Sequence, residues 1–206
     1  MAIKSLKHSS LTDNAFYRSV LAGNAPYIPV VSAYDLLETT TLTTSANSIS
    51  FTGLGSYATD YKHLQVRYIG RCASANTNNG FEVYINADTG SNYTYHRIVG
   101  NGSTVGTFGS TSAFAQGIVG RITGGNADAG TYGAGLVDFL DFGSTQKNKT
   151  IRGLGGYANT AGAGYHIRLD SVAWLNTAAI TSLTFKAQTG SEDFIAGTRL
   201  SLIGIK

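Results

Sequence analysis

Four histidines are the residues of this chain best suited by type to acid–base or metal chemistry. His8, His63, His96 and His166 can each carry a proton or bind a metal ion. None belongs to a metal-binding pair such as H-x-x-x-H, and the last three lie in alternating runs near Arg or Lys. We therefore interpret these three as residues of polar strand faces.

A polar loop at residues 86–93 is the second candidate, because its Asp, Asn and carbonyl oxygens could hold Ca²⁺ or a sugar. Calcium loops bring several carboxylates together, whereas this one has only Asp88. Asp and Asn side chains also stabilise tight turns by bonding to the nearby backbone. We therefore predict a hairpin turn here.

Five tyrosines near predicted loops form the third candidate. Aromatic rings can stack on sugars, and tyrosine is also common at protein interfaces. The sequence does not separate a glycan-binding role from an interface role for Tyr93, Tyr95, Tyr132, Tyr157 and Tyr165.

Motifs for enzymatic chemistry are missing from the sequence. The chain has no G-x-S-x-G elbow, no Walker glycine loop and no paired carboxylates in a shared apolar setting. Residues 153–156 lack dinucleotide-binding spacing and are predicted to form a loop or bulge. We predict no enzymatic activity, no catalytic residue and no bound cofactor or metal. A hydrolase of cell-wall polysaccharide is disfavoured because the expected acid pair is missing.

The composition favours a β-protein. Charged residues make up 13% of the 206 residues, and 26 glycines with many Ser, Thr and Asn residues carry the polarity. The net charge of +3 is scattered, whereas nucleic-acid binding needs a basic cluster, so no nucleic-acid partner is predicted. No apolar run approaches the length of a membrane span, and no membrane association is predicted.

Cysteine content and the N-terminal residues indicate the compartment. The single cysteine, Cys72, excludes an intramolecular disulfide and a cysteine-based zinc site. Polar residues interrupt the region after Lys4 and Lys7, where a secretory signal would need an apolar run. We expect the protein to be made and kept in a cytosol until it joins its partners.

Beyond Asp35 the sequence has the two-residue alternation of β-strands. The apolar members of the alternating runs are Leu64, Val66 and Tyr68; Phe81, Val83 and Ile85; Val137 and Phe139; Ile167 and Leu169; Leu183 and Phe185; and Leu200 and Leu202. Each run ends at turn residues such as those at 76–80, 88–90 and 124–126. We predict an all-β fold, specifically an antiparallel jelly-roll-like β-sandwich over residues 35–206.

Residues 1–34 are predicted to form an extended N-terminal docking arm. Both prolines, Pro26 and Pro29, lie in it, and proline fixes φ and lacks an N–H group. Capping residues at 10–13 and Gly23 predict one short helix near residues 12–22. Its apolar side needs either a partner or the chain's own sandwich. The residues predicted to bind a partner are Ile3, Leu6, Leu11, Phe16, Tyr17, Val20, Leu21, Pro26, Tyr27, Ile28 and Pro29.

Six segments taken together carry a family resemblance. They are FTGLG at 51–55, DYKHLQVR at 60–67, INADTGSNY at 85–93, KNKT at 147–150, WLNTAAITSL at 174–183 and GTRLSLIGIK at 197–206. As an ordered set they resemble a group of virion structural proteins of tailed bacteriophages, notably phages of cyanobacteria and other aquatic bacteria. The resemblance spans most of the predicted β region.

The resemblance implies a virion component with a β-sandwich fold and no catalytic activity. Members of this group are capsid decoration or tail-associated proteins. By analogy with cement proteins that clamp capsid subunits with extended termini, we expect a homo-oligomeric capsid decoration protein whose arm docks on the major capsid protein or another virion protein. The alternative is a tail-fibre or receptor-binding protein that recognises a host surface glycan. In either case the protein would be made in the host cytoplasm and located in the virion.

Overall fold

The described part of the chain is built from β-strands. A computed structural model of the protein describes residues 33–160, 165–188 and 192–206. These residues form twelve strands and one short 3-10 helix at Leu54–Tyr57. The strands are β1 (Tyr34–Thr41), β2 (Ile49–Thr52), β3 (His63–Gly70), β4 (Asn78–Ile85), β5 (Tyr93–Gly100), β6 (Val105–Phe114), β7 (Gly117–Thr123), β8 (Gly133–Phe139), β9 (Lys149–Ala158), β10 (Tyr165–Trp174), β11 (Ser182–Ala187) and β12 (Arg199–Ile205).

The strands form two antiparallel sheets. The large sheet has eight strands in the order β1-β12-β3-β8-β9-β10-β5-β6, and the small sheet has four in the order β2-β11-β4-β7. All neighbouring strands in both sheets run antiparallel. The prediction of an all-β fold is therefore confirmed. The arm predicted at residues 1–34, including the helix near 12–22, lies outside the described residues as far as residue 32.

Eight of the strands pair in a nested pattern. β4 pairs with β7, β3 with β8, β2 with β11 and β1 with β12, as in one long hairpin. The pairs β12–β3 and β11–β4 then roll this hairpin into two layers. The other four strands are insertions: β5 and β6 follow β4, and β9 and β10 follow β8. Both insertions extend the large sheet beyond β8, so they supply half of its strands.

The core lies between the two sheets and consists largely of the predicted apolar residues. The rings of Phe81 and Phe185 stack with their centroids 5.0 Å apart, and the ring of Tyr68 lies 4.3 Å from that of Phe81. Full burial of one such ring contributes about 2–3 kcal/mol. The predicted inward residues of β3, β4, β8, β11 and β12 are all buried.

Among the described residues no helix has the length and apolar character needed to cross a membrane.

Residues 153–156, predicted to form a loop or bulge, lie instead in the middle of β9. The prediction was wrong because glycine here serves close packing between strands. A Cβ atom at Gly153 would overlap the carbonyl oxygen of Val119 on β7. Glycine at this position therefore lets the small sheet approach the inserted part of the large sheet.

Two predicted turns also differ in detail from the structure. β4 begins at Asn78, inside the turn predicted at 76–80. The segment 86–93 contains a turn, with positive φ at Asn86 and Ala87. It is not a hairpin, however, because β4 belongs to the small sheet and β5 to the large sheet. The turn carries the chain from one layer to the other.

We predict that Gly153→Ala destabilises the protein by about 3 kcal/mol, because the new methyl group overlaps backbone atoms that cannot move aside easily. Urea unfolding would measure the loss. Gly55→Ala is the matched control, since its Cβ would meet only the Thr181 methyl group at 3.8 Å. Its free energy of unfolding should stay within about 0.5 kcal/mol of the wild type or rise slightly. Equal losses in both variants would contradict this account of β9.

Candidate interaction surface

The outer side of the large sheet, which faces away from the small sheet, carries an apolar row across four neighbouring strands. Leu136, Leu154, Leu169 and Ile98 occupy consecutive register positions on β8, β9, β10 and β5. We call these four residues the apolar row. The side chains of Leu154, Leu169 and Ile98 are 45%, 48% and 51% exposed, and Leu136 is half-buried. Leucine and isoleucine are common in sheets, but four in register on a solvent face need an explanation.

A second line of small and apolar residues lies beside the apolar row. Ile69, Ala134, Gly156 and Ile167 are in register on β3, β8, β9 and β10. Ile167 is 64% exposed. We call this second line and the apolar row together the open face. Because its apolar side chains are contiguous, the open face differs from the isolated exposed apolar residues normal for soluble proteins.

The outer side of the large sheet is hollow. Three shallow depressions cross it, with volumes of about 710, 540 and 730 Å³. The first covers β1, β12, β3 and β8 and shares Arg67, Ala134 and Gly135 with the second, which continues over β9 and β10. The third covers β10, β5 and β6. Such a shape suits a protruding partner surface.

The charged residues on this side of the sheet are mainly basic. Arg67, Arg152 and Arg199 are exposed there, on β3, β9 and β12. Asp138 lies on the same side, and its Oδ1 accepts a hydrogen bond of 2.8 Å from Nε2 of Gln65. Three guanidinium groups around an apolar centre, against one carboxylate, give the surface a surplus of positive charge.

The outer side of the small sheet is polar by contrast. Ser50 and Thr184 face each other in register, and their hydroxyl oxygens are 2.9 Å apart. Thr52 and Ser182 form the next pair of the same register. Among the described residues, none of the exposed large apolar side chains lies on a strand of the small sheet.

Strand β10 contains the main departure from the sequence prediction. The apolar set of a sandwich strand normally faces the core, but Ile167 and Leu169 lie on the open face, while Arg168 and Asp170 are fully buried. Nε and Nη2 of Arg168 donate hydrogen bonds of 2.5 and 2.6 Å to the two carboxylate oxygens of Asp170. The alternation was predicted correctly, but the phase was wrong, because a two-residue period does not say which set of side chains is inside.

His166 lies on the same inner side of β10. Its ring stacks on that of Tyr157, with centroids 6.0 Å apart and planes 7° from parallel. Burial, followed by the positive charges of Arg121, Arg168 and Arg97, lowers the pKa of His166 to about 4. At neutral pH this histidine is therefore uncharged.

The predicted tyrosines do not come together as one exposed group. Tyr93 is 1% exposed, and its hydroxyl oxygen accepts a hydrogen bond of 2.9 Å from the Ile85 backbone N–H. Tyr157 is also buried. Tyr132 donates to the Ala196 carbonyl oxygen at 2.7 Å, and the half-buried Tyr95 lies under a guanidinium group. The side chain of Tyr165 lies outside the described part of the structure.

The loop at residues 86–93, which we considered as a calcium site, uses the carboxylate of Asp88 to stabilise its own turn. Asp88 accepts hydrogen bonds of 2.8, 2.9 and 2.7 Å from the backbone of Gly90, from Asn92 Nδ2 and from Trp174 Nε1. These bonds fix the turn to β10, as the chemistry of Asp-containing turns predicts. Within the described ranges, no three His, Cys, Asp or Glu side chains are grouped so that they could hold a metal ion.

The predicted docking residues of the arm, from Ile3 to Pro29, lie outside the described residues. Their role in partner binding stays a prediction. Sequence reasoning missed the open face, because it assigned the apolar residues of β10 to the core and residues 153–156 to a loop. The alternating pattern with Arg and Asp in between was the available signal.

Comparisons of the chain with protein-family models, with curated proteins and with solved structures found no match. The functional interpretation below therefore depends on the residues of this chain and on their geometry.

Which side of β10 faces the core can be tested by measuring the stability of two variants. We predict that Leu169→Thr changes the free energy of unfolding by no more than about 0.5 kcal/mol, because the side chain is exposed. Asp170→Ala should cost about 3–5 kcal/mol, because it leaves the buried guanidinium of Arg168 without its carboxylate. Chemical denaturation of both variants would measure the difference. A larger loss for Leu169→Thr would place Leu169 in the core instead.

The half-buried His166 predicts a loss of stability in acid. Between about pH 6.5 and pH 4 the unfolded chain binds a proton at His166 that the folded chain does not, so stability falls as the pH falls through this window. Because of His166, the free energy of unfolding should fall by about 2–3 kcal/mol across this window. His166→Gln should remove it, as measured by urea unfolding at several pH values. His96→Gln, on the exposed side of β5, is the control and should keep the acid-dependent loss.

Proposed function

We propose that this chain is a non-enzymatic structural protein of a tailed-bacteriophage virion, most specifically a capsid decoration or cement protein. The observation that carries the proposal is the apolar row on a hollow, solvent-facing sheet surface. Monomeric soluble proteins rarely expose contiguous apolar patches of this kind unless a partner covers them. The resemblance of six segments to phage virion proteins supplies the biological setting.

We propose further that the body is a jelly roll. The support comes from the nested pairs β1–β12, β2–β11, β3–β8 and β4–β7. Rolling such a long hairpin produces two four-stranded layers with Greek-key connections, which is the architecture of jelly rolls. Here the layers are β1-β12-β3-β8 and β2-β11-β4-β7, and the two inserted hairpins widen the first layer. Jelly rolls are frequent in viral structural proteins, although fold does not fix function.

The chemistry of the open face favours a protein partner over a glycan. Its exposed centre consists of the aliphatic residues Leu154, Leu169 and Ile98, whereas sugar recognition uses aromatic rings and converging polar groups. Aliphatic side chains with arginines around them are common in protein interfaces. Because Arg67, Arg152 and Arg199 outnumber Asp138, the partner surface should have an apolar centre and an acidic rim. We assign this role to the major capsid protein or another virion protein.

In this proposal the arm at residues 1–34 and the open face act on the same partner. The arm is mildly basic, like the open face, so both suit an acidic surface. An extended arm loses backbone entropy when it becomes ordered, whereas the sheet is already rigid and adds contact area without that cost. Association of several copies into a homo-oligomer would add avidity to each attachment.

The test uses the full-length protein and virus particles that lack it. We predict that the double variant Leu154→Glu and Leu169→Glu binds such particles at least 100-fold more weakly than the wild type, because two charges would have to be buried in the contact. Its melting temperature should stay near that of the wild type, since both residues face solvent. Co-sedimentation with purified particles would measure binding.

Thr184→Glu on the polar outer side of the small sheet is the matched control and should bind like the wild type. A protein lacking residues 2–29 belongs in the same assay and should also bind weakly. Equal binding by the double variant and the wild type would refute the role of the open face.

Antibody labelling of intact particles would show head or tail location. Binding to a host glycan instead of capsids would favour the tail-fibre alternative.

A further inference from the structure

A separate cavity of about 260 Å³ lies where β5, β6 and β10 meet the edge strand β7 of the small sheet. Three arginines from three strands line it: Arg97 from β5, Arg121 from β7 and Arg168 from β10. Val99 and Phe108 provide apolar walls. None of these residues belongs to the open face, so the cavity raises a separate question.

The three guanidinium groups lack sufficient acceptors. Arg168 is fully buried, and its Nη1 atom has no hydrogen-bond partner among the described residues, although Nε and Nη2 bond to Asp170. Within the described part of the chain, the one carboxylate near Arg97 is that of Asp170, whose Oδ1 lies 3.8 Å from Arg97 Nε. The guanidinium group of Arg97 also stacks on Tyr95, with its Cζ 3.9 Å from the ring centroid. For Arg121 the described residues provide no acceptor for the buried Nε.

The charges in the cavity are therefore unbalanced. Three guanidinium groups line the cavity, and among the described residues the one carboxylate in contact with any of them is that of Asp170, which already bonds to Arg168. His166, also in the lining, is uncharged at neutral pH. Burial, followed by the positive charges of Arg168 and Arg97, lowers the pKa of Arg121 to about 10. Buried charges normally have a partner, because an unpaired one loses its hydration without compensation. A cluster with two surplus positive charges is the arrangement expected of an anion site before its ligand binds.

We propose that this cavity binds a doubly charged oxyanion of the phosphate or sulfate type. Two negative charges would balance the surplus of Arg97, Arg121 and Arg168 over Asp170. Guanidinium groups form strong charge-assisted hydrogen bonds to such oxygens and hold them in a fixed geometry. The fully buried Nη1 of Arg168 is independent support, since none of the described residues accepts a hydrogen bond from this donor.

The cavity has room for more than a bare ion, and the ring of Phe108 lies at its wall. The oxyanion can therefore be free in solution or belong to a compact organic molecule such as a phosphorylated sugar. Both sources offer the same charged group to the arginines. The inference goes beyond the proposed structural role and does not depend on it, because a virion protein and any other binding protein could use this cavity.

The test measures thermal unfolding of the full-length protein with sodium sulfate, sodium phosphate, glucose 6-phosphate or unphosphorylated glucose, each against sodium chloride at matched ionic strength. We expect the oxyanions to raise the melting temperature by roughly 5 °C at a ligand concentration a hundredfold above Kd. Glucose should have no such effect. Isothermal titration calorimetry would confirm saturable binding.

Arg121→Gln and Arg97→Gln, made separately, should abolish the ligand-dependent shift. Without ligand these variants should melt at the same temperature as the wild type or slightly higher, because each removes one uncompensated positive charge. Arg152→Gln makes the same change in charge on the exposed side of β9 and should keep the full shift. The use of two variants guards against the failure of one to fold.

The possible outcomes distinguish the two sources of the oxyanion and also test the proposal itself. Equal shifts with inorganic phosphate and the sugar phosphate support a free anion, and a larger shift with the sugar phosphate supports an organic carrier. The proposal is overturned if no oxyanion shifts the wild type beyond the chloride control. It is also overturned if Arg97→Gln and Arg121→Gln keep the wild-type shift, since general salt stabilisation would then explain the effect.

Discussion

The buried pair of Arg168 and Asp170 is the interaction on which the functional surfaces of this molecule depend. Successive side chains of a strand point to opposite faces, so a strand that places these two residues inside must place Ile167 and Leu169 outside. The exposure of Leu169 in the apolar row and of Ile167 beside it is thus a direct result of charge burial on the inner side. A buried ion pair adds little net stability against an apolar pair of similar size. Its main effect here is to set which side chains β10 presents on its two faces.

The inserted hairpins concentrate function in one half of the large sheet. β9 and β10 carry the centre of the open face, and β5 completes it with Ile98. The inner sides of β5, β6 and β10 border the arginine cavity, where the small sheet ends at β7. The nested eight strands provide a closed apolar core around residues such as Phe81 and Phe185. The inner sides of β9 and β10 stay largely buried, whereas their outer sides are exposed and carry the open face.

Much of the fold could be predicted from the sequence, because period-2 alternation marks a strand whatever its neighbours are. The inward residues of β3, β4, β11 and β12 were found in this way. The phase of β10 could not be predicted, since Ile167 and Leu169 are as apolar as core residues and a two-residue period does not say which set of side chains is inside. β9 was missed because Gly153 has no side chain to show alternation. The arginine cavity brings together residues from three strands that are far apart in the sequence. The local spacing of residues in the sequence does not reveal such a contact.

The pairing of β1 with β12 has a consequence for how the protein is made. These strands come from opposite ends of the described residues, and β12 lies between β1 and β3 in the large sheet. Until β12 leaves the ribosome, no strand can link β1 to β3. The two ends of the body must come together before β1 and β12 can pair, and closing such a long loop is slow. The body should therefore fold slowly and only once β12 has been synthesised, and until then its unpaired strand edges would benefit from chaperone protection.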